Sequence, residues 1–500
     1  MPELGHFMWY DWVGVTLYFG CLSFIFLYSL VQLNLVRAYR RQLKKLPFIP
    51  AEPTDWPTVT VQLPIYNERY VAARLIDAVA QLDYPLDRLE IQVLDDSTDD
   101  TVNIITEAVQ KHRATGIQIE HVQRSNRAGF KAGALAYGMT KSTGAYLAIF
   151  DADFLPPKDF LKKTIPHFTD AEVGVVQTRW MHLNADYSTL TRLQAFGLDA
   201  HFTVEQGGRH AMGSYINFNG TAGVWRRACI DDAGGWSSDT LTEDLDLSYR
   251  AQLNGWRFVY REDVGAPAEL PAAMLALKTQ QYRWTKGAAE CTMKNLGKVW
   301  KKDGIGWSTK VNALFHLMNS FIFISVFITA LLSIQMLFVK AKVAWSLSLF
   351  AAGSLFLTSM LILAYFYWVS QRRMHPRQGG FQFIVRFFLF LSMSMGLSLH
   401  NAIAVVEGYI GRKTPFVRTP KFNIVSGKGS WYNNNYLSRQ LGWMPVLELA
   451  LSGLFAWAIY QGILLGDWGL VPFHALLMIG FALVGWTSVQ HQWALQRNNA

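Results

Sequence analysis

The stretch from residue 12 to residue 36 holds no Asp, Glu, Lys or Arg. A helix of that length crosses a hydrocarbon core of about 30 Å. After a long gap come four more uncharged stretches, at 311–339, 343–371, 387–406 and 468–496, and a sixth at 449–466 bounded by Glu448 and Asp467. A signal peptide would bring a basic start, a shorter core and a small-residue cleavage site. Here Glu3 and Asp11 precede the first stretch, and Arg37, Arg40, Arg41, Lys44 and Lys45 follow it. The expectation is a retained transmembrane helix whose C-terminal end faces the cytoplasm, because cytoplasmic flanks collect Lys and Arg. Only 17% of residues are charged and 51% are hydrophobic, against about 25% charged in a soluble domain. A disordered, collagenous or disulfide-stapled chain is excluded. The net charge of +9 sits beside apolar blocks, which points to lipid and away from nucleic acid.

The basic residues also orient the later segments. Lys340 and Lys342 leave room only for a hairpin between 311–339 and 343–371. The chain then meets Arg372, Arg373, His375 and Arg377, and beyond 381–409 it meets Arg412, Lys413, Arg418, Lys421 and Lys428. With both flanks basic, 381–409 is expected to stay on the cytoplasmic face, as an interfacial helix or a re-entrant pair broken near Gly396. Two last crossings, near 444–465 and 469–490, bring the total to five. The expected units are 1–45 (first helix and basic flank), 46–300 (cytosolic domain), 301–375 (hairpin), 376–440 (interfacial helix and loop) and 441–500 (second hairpin and tail).

Between the membrane segments, short β-branched runs alternate with helical patterns. The runs are 59–63 before Pro64, 91–94 before Asp95-Asp96, 117–121, 146–150 before Asp151-Ala152-Asp153, and 173–177. Helical periodicity covers 71–81 and 101–112. This alternation predicts an α/β domain with a mostly parallel sheet and helices on both faces. Ligands bind such sheets beyond the carboxyl ends of the strands. No GxGxxG follows the first strand and no GxxxxGK[ST] occurs, so neither a dinucleotide fold nor a P-loop is indicated. Cys21, Cys229 and Cys291 form no CxxC or His/Cys cluster, so no zinc site or disulfide framework is expected.

Four motifs carry chemistry. Asp95-Asp96-Ser97-Thr98-Asp99-Asp100 sits at a strand-to-helix junction; it caps a helix, or Asp95 or Asp96 binds a base or ribose. Asp151-Ala152-Asp153 follows a buried strand, where two carboxylates hold Mg²⁺ or Mn²⁺ against substrate phosphates. In Thr242-Glu243-Asp244, Thr242 suits a cap and the acids suit the helix dipole, while Asp244 suits a general base aimed into a cleft. Gln280, Arg283 and Trp284 share a helix face. There Trp offers a platform for a sugar ring and Arg a fork for phosphate; an interfacial membrane helix would use the same residues as anchors.

The ordered set Pro64-Ile65-Tyr66-Asn67-Glu68, DDSTDD, DAD, TED and QQYRW, flanked by membrane helices, resembles the processive family 2 glycosyltransferases over about residues 10–490. These include cellulose synthases and the plant cellulose-synthase-like A and C proteins, which build mannan, glucomannan and glucan. The resemblance implies a glycosyltransferase-A-like (Rossmann-like) cytosolic domain between transmembrane helices. Tyr66, Glu68, Asp95 and Asp96 would meet the nucleobase end of a nucleotide sugar, and Lys131 would contact the donor. Asp151 and Asp153 would hold the diphosphate and its metal, and Asp244 would be the base. Gln280 and Arg283 would bind the donor, with Trp284 and Glu243 on the acceptor side. Phe416, Thr419 and Lys421 resemble a gating loop over the diphosphate, although Arg418 stands where the family commonly has valine. There is no room after residue 490 for a cyclic-dinucleotide domain, and no cysteine-rich zinc domain is present, so the shorter cellulose-synthase-like type is expected.

The activity so implied is inverting, metal-dependent, processive transfer of hexose from UDP-glucose or GDP-mannose to a growing β-linked glycan, coupled to export. The alternative is transfer of one sugar to a lipid such as a ceramide or polyprenyl phosphate. Both readings need a multi-pass protein with a cytosolic site, in a bacterial inner membrane or in a Golgi or plasma membrane.

Overall fold

The computed structural model describes residues 8–45, 48–342, 346–425, 429–432, 434, 436–437 and 442–497. Glu3 and Lys428, two of the orienting charges, lie outside the described residues. Among the described residues seven strands form one sheet: β1 (Val59–Ile65), β2 (Leu89–Asp95), β3 (Ile119–Gln123), β4 (Tyr146–Ile149), β5 (Val173–His182), β6 (Gly223–Arg226) and β7 (Arg257–Ala268), in the order β3-β2-β1-β4-β6-β5-β7. β1, β2, β3 and β4 run parallel, whereas β6 is antiparallel to both β4 and β5. The sheet is therefore mixed. β6 and β7 escape the sequence pattern for physical reasons. β6 has only four residues, and β7 carries Arg261, Glu262, Asp263 and Pro267, residue types depleted from strands but tolerated at an edge such as β7 occupies.

Register decides where the chemistry gathers. Ile65 of β1 pairs with Asp95 of β2, and Gln62 of β1 pairs with Ile149 of β4. The carboxyl ends of these strands thus lie along one rim, which receives Tyr66 and Glu68, Asp96, and Asp151 and Asp153. Behind the rim, Val61, Leu63, Ile91, Val93 and Ala148 are fully buried. Strands buried on both faces read as continuous apolar runs, which is why this half of the sheet is plain in the sequence.

Among the described residues five helices are long and apolar enough to cross a membrane: Trp9–Gln42, Trp307–Lys340 (interrupted by a short 3-10 turn at Met318–Ser320), Gly353–Met374 (within the Ser346–Met374 helix), Met444–Leu464 and Val471–Arg497. The helices Gly380–Gly396 and Ser398–Tyr409 form a pair bent by 49°. Glycine sets the close approaches. A Cβ on Gly396 would lie 2.2 Å from the Gly480 carbonyl oxygen, and one on Gly480 would lie 2.1 Å from the Ser392 carbonyl oxygen. Small residues let membrane helices meet backbone to backbone. In the same way Gly408 brings the Ser398–Tyr409 helix against Met274–Lys301, where its Cβ would sit 2.7 Å from the Lys286 carbonyl oxygen. The first helix extends beyond its apolar stretch to the sheet, and Tyr39 Oη donates to Glu262 Oε1 at 3.0 Å.

Candidate active site

One cleft opens beyond the strand ends. Its lining includes Tyr66, Glu68, Asp96, Lys131, Asp151, Asp153, Glu243, Asp244, Gln280, Arg283, Trp284, Thr419 and Lys421. Of the residues singled out in the sequence, Asp95 alone is not among them. Its carboxylate is turned inward, accepting from the Ser97 N–H at 2.8 Å and lying 2.8 Å from His121 Nε2. Burial raises its pKa, but these hydrogen bonds outweigh the cost and hold the carboxyl below its usual range. The six-residue acidic motif therefore divides its labour. Asp99 Oδ1 caps the following helix through the Thr101 N–H at 3.0 Å, and Asp96 turns to the cleft while accepting from Arg124 Nε at 2.8 Å. Asn67 takes the left-handed conformation (φ 54°), which Asn tolerates better than most residues. Its Oδ1 accepts from the Thr98 N–H at 2.8 Å, tying the end of β1 to the end of β2.

On the far side of β4, two lysines meet two carboxylates. Lys131 Nζ donates to Asp151 Oδ1 at 2.6 Å and to the Gly220 carbonyl at 2.9 Å. Lys421 Nζ pairs with Asp153 Oδ2 at 2.8 Å. Burial lowers the pKa of each ammonium, but the surrounding carboxylates prevail and both stay above the usual lysine value. Asp153 is buried, and its Oδ1 has no hydrogen-bond partner. That orphaned oxygen, with Asp151 two residues away, fits a hard divalent cation, which takes one or two carboxylates and completes its shell with water and substrate phosphate. Among the described residues no group of three or more His, Cys, Asp and Glu converges as a self-sufficient metal cage.

Asp244 lies in the first turn of the Glu243–Leu253 helix. Thr242 holds the N-cap position, but its side chain makes no cap bond and instead lies 3.4 Å from Cys291 Sγ. Burial pushes the Asp244 carboxyl up to about 7, Glu243 pushes the same way, and Lys131 opposes them. Gly220 has φ +78°, and a Cβ there would stand 3.0 Å from Asp244 Oδ2, so glycine is required both by conformation and by space. The motif is seated on the Met274–Lys301 helix: Gly287 leaves room for Thr242, and Glu290 accepts from the Leu241 N–H at 2.7 Å. That same helix carries Gln280, Arg283 and Trp284. Arg283 donates to Thr419 Oγ1 at 2.8 Å, and burial lowers its pKa although the carboxyls of Asp151, Glu243, Glu68 and Asp244 oppose the shift.

Sequence reasoning missed several cleft residues. Arg127 lies flat on Tyr66, its guanidinium carbon 3.3 Å from the ring centroid. Arg418 pairs with Glu68 at 3.1 Å, while burial still pushes the Glu68 carboxyl up to about 8. Trp180 and His182 at the end of β5, with Asn219 and Glu269, complete the lining. Arg418 was visible as a departure from the family loop; the others sit in no motif, and only the fold brings them in.

Residues 57–287 match the family described as glycosyltransferase like family 2. The chain is 44% identical over 274 residues to the probable glucomannan 4-beta-mannosyltransferase 11 of Oryza sativa subsp. japonica, covering 54% of this chain and 47% of that one. It is 43% identical over 267 residues to glucomannan 4-beta-mannosyltransferase 2 of Arabidopsis thaliana, covering 52% and 50%. The chain thus spans about half the length of these curated relatives. Among solved structures, the mannosyltransferase PcManGT of Pyrobaculum calidifontis, in complex with GDP-Man and Mn2+, superposes with a TM-score of 0.53 at 20% identity, covering 81% of this chain and 99% of that one. That likeness establishes the fold, glycosyltransferase-A-like as expected. The 57–287 segment is a glycosyltransferase family 2 domain, and over about half of its length the chain resembles cellulose-synthase-like members of that family.

Proposed function

We propose that the protein transfers mannose from GDP-mannose to the terminal hydroxyl of a β-linked glycan. The names of the mannosyltransferase relatives and the GDP-Man held by the structural neighbour support the choice of sugar. The observation that carries the reading is the half-buried Asp244 carboxyl sharing one cleft with the Lys131–Asp151 and Lys421–Asp153 pairs. Asp244 takes the proton of the acceptor hydroxyl, and its raised pKa suits a base working near neutrality. The hydroxyl oxygen attacks the anomeric carbon as the bond to the diphosphate breaks, so one displacement inverts the centre. Lys131, Arg283 and Lys421 bring positive charge to the leaving diphosphate, the charge that grows in the transition state. Asp151 and Asp153 would hold Mg²⁺ or Mn²⁺, which when bound neutralises phosphate charge. Trp284 presents its ring to the acceptor sugar, beside Trp180 at 6.3 Å between centroids.

Export of the growing chain is part of the proposal. The helix bearing Gln280, Arg283 and Trp284 packs on the Ser398–Tyr409 membrane-side helix through Gly408, so the acceptor side of the cleft abuts the membrane segments. The test is a donor screen on the purified full chain in nanodiscs. GDP-mannose, UDP-glucose and UDP-N-acetylglucosamine are offered with Mn²⁺ or Mg²⁺. The expected product is a high-mass glycan made from GDP-mannose and cut by mannanase. A glucanase-sensitive polymer made from UDP-glucose would overturn the sugar, and a single-sugar lipid would overturn the polymer.

A further inference from the structure

Glu269 is almost fully buried at the end of β7, and its side chain reaches toward the loop that carries Thr419 and Lys421. Oε1 accepts from the Phe422 N–H at 2.7 Å, and Oε2 accepts from the Asn423 N–H at 2.9 Å. Two successive amides thus converge on one carboxylate, and the chain then turns away through Asn423, which is left-handed with φ 57°. Successive N–H groups around a left-handed residue form a concave anion site. Glu269 fills that site with a carboxyl group from the glycosyltransferase domain. Its own N–H donates to Asp153 Oδ2 at 3.3 Å. One residue thus touches the carboxylate that Lys421 pairs with and also grips the backbone directly after Lys421. Arg74 supports the joint: it donates to Asn423 Oδ1 at 2.7 Å and lies 3.8 Å from Glu269. Asn434 Nδ2 donates to the Lys421 carbonyl at 2.7 Å.

We propose that Glu269 is a positioning residue for donor binding: by holding the Phe422 and Asn423 amides it sets Lys421 over Asp153 and Thr419 against Arg283. Nothing in the four sequence motifs contains it, and it rests on the donor reading given above. Lys421 meets both the charge already on the bound diphosphate and the charge that grows as it leaves. Its displacement therefore raises KM for the donor and also lowers kcat.

The experiment compares the wild-type full chain with Glu269→Gln in detergent. Gln keeps the size but offers one acceptor and a donor that opposes the second amide. Hydrogen exchange at 419–425 and binding of GDP with Mn²⁺ are measured together with donor KM and kcat. Exchange at Phe422 and Asn423 should rise, and GDP affinity should fall by about tenfold, the scale of one charge-assisted hydrogen bond. Unchanged exchange in Glu269→Gln would overturn the proposal. Faster exchange with wild-type GDP affinity and KM would overturn it too, leaving only a structural tie. If the wild-type chain binds no GDP, the donor reading falls, and the exchange comparison then decides the tie alone.

Discussion

Asp244 shows how burial tunes a single residue. Taking a carboxyl out of water favours its neutral form, and Lys131 only partly offsets this, so the group titrates near 7 where an ordinary Asp sits at 3.8. Acting as a base requires the ionised form. kcat/KM should therefore climb with pH through about 7 and level off above it. Asp244→Asn should abolish the profile, lowering turnover by at least about 10²–10⁴-fold while GDP binding is retained. Stability moves the other way. Between 3.8 and about 7 the folded chain keeps a proton that the unfolded chain has lost, so stability declines as pH rises across that window. In Asp244→Asn this contribution to the slope disappears. A variant that keeps wild-type turnover and profile would remove Asp244 from the role of base. The placement of Asp244 at a helix start on the cleft was readable in advance, because an acid in the first turn of a helix is a local pattern. The roles of Asp95 and Asp96 were not, since which of two adjacent carboxylates faces the cleft depends on where His121 and Arg124 arrive from a different strand and loop.

At the scale of elements, glycine governs how the membrane helices meet. Gly480 leaves no room for a side chain against the Ser392 carbonyl, whereas Gly453 on the Met444–Leu464 helix has nothing within 4 Å. Gly480→Leu should separate the Gly380–Gly396 and Val471–Arg497 helices and lower the thermal unfolding midpoint in detergent by several degrees, as overpacking typically costs about 1–3 kcal/mol. Gly453→Leu should leave the midpoint where it is. Equal midpoints for the two variants would show that the close crossing contributes little. The spans themselves were legible as uncharged runs, and the bend at Gly396–Leu397 falls where the sequence marks a glycine. The sheet was legible only in part. Parallel strands buried on both faces announce themselves, while a four-residue antiparallel strand and a charged edge strand do not.

Across the whole molecule, the cleft is made by two stretches far apart in the chain. The domain contributes the strand ends, and the segment after the bent pair returns Thr419 and Lys421 to them. That return constrains topology, since Arg412 and Lys421 must lie on the same side of the membrane as Asp153. Single cysteines placed at Lys45, Arg377 and Arg412 should react with an impermeant reagent from the side of the cleft, and one at Gly466 from the opposite side. Labelling of the Arg412 position from the Gly466 side would contradict the shared cleft.

Acting through local rules, the sequence determined the membrane segments, the paired carboxylates at strand ends, the acid at a helix start and the Gln/Arg/Trp face. Each of these follows from composition or spacing within one continuous stretch of sequence. Tertiary structure alone decided that β6 runs against its neighbours, that Asp95 turns away from the cleft, and that Arg127, Arg418 and Glu269 enter it. Those outcomes depend on contacts between residues tens to hundreds of positions apart. No local propensity encodes such contacts; packing and the satisfaction of buried charge select them.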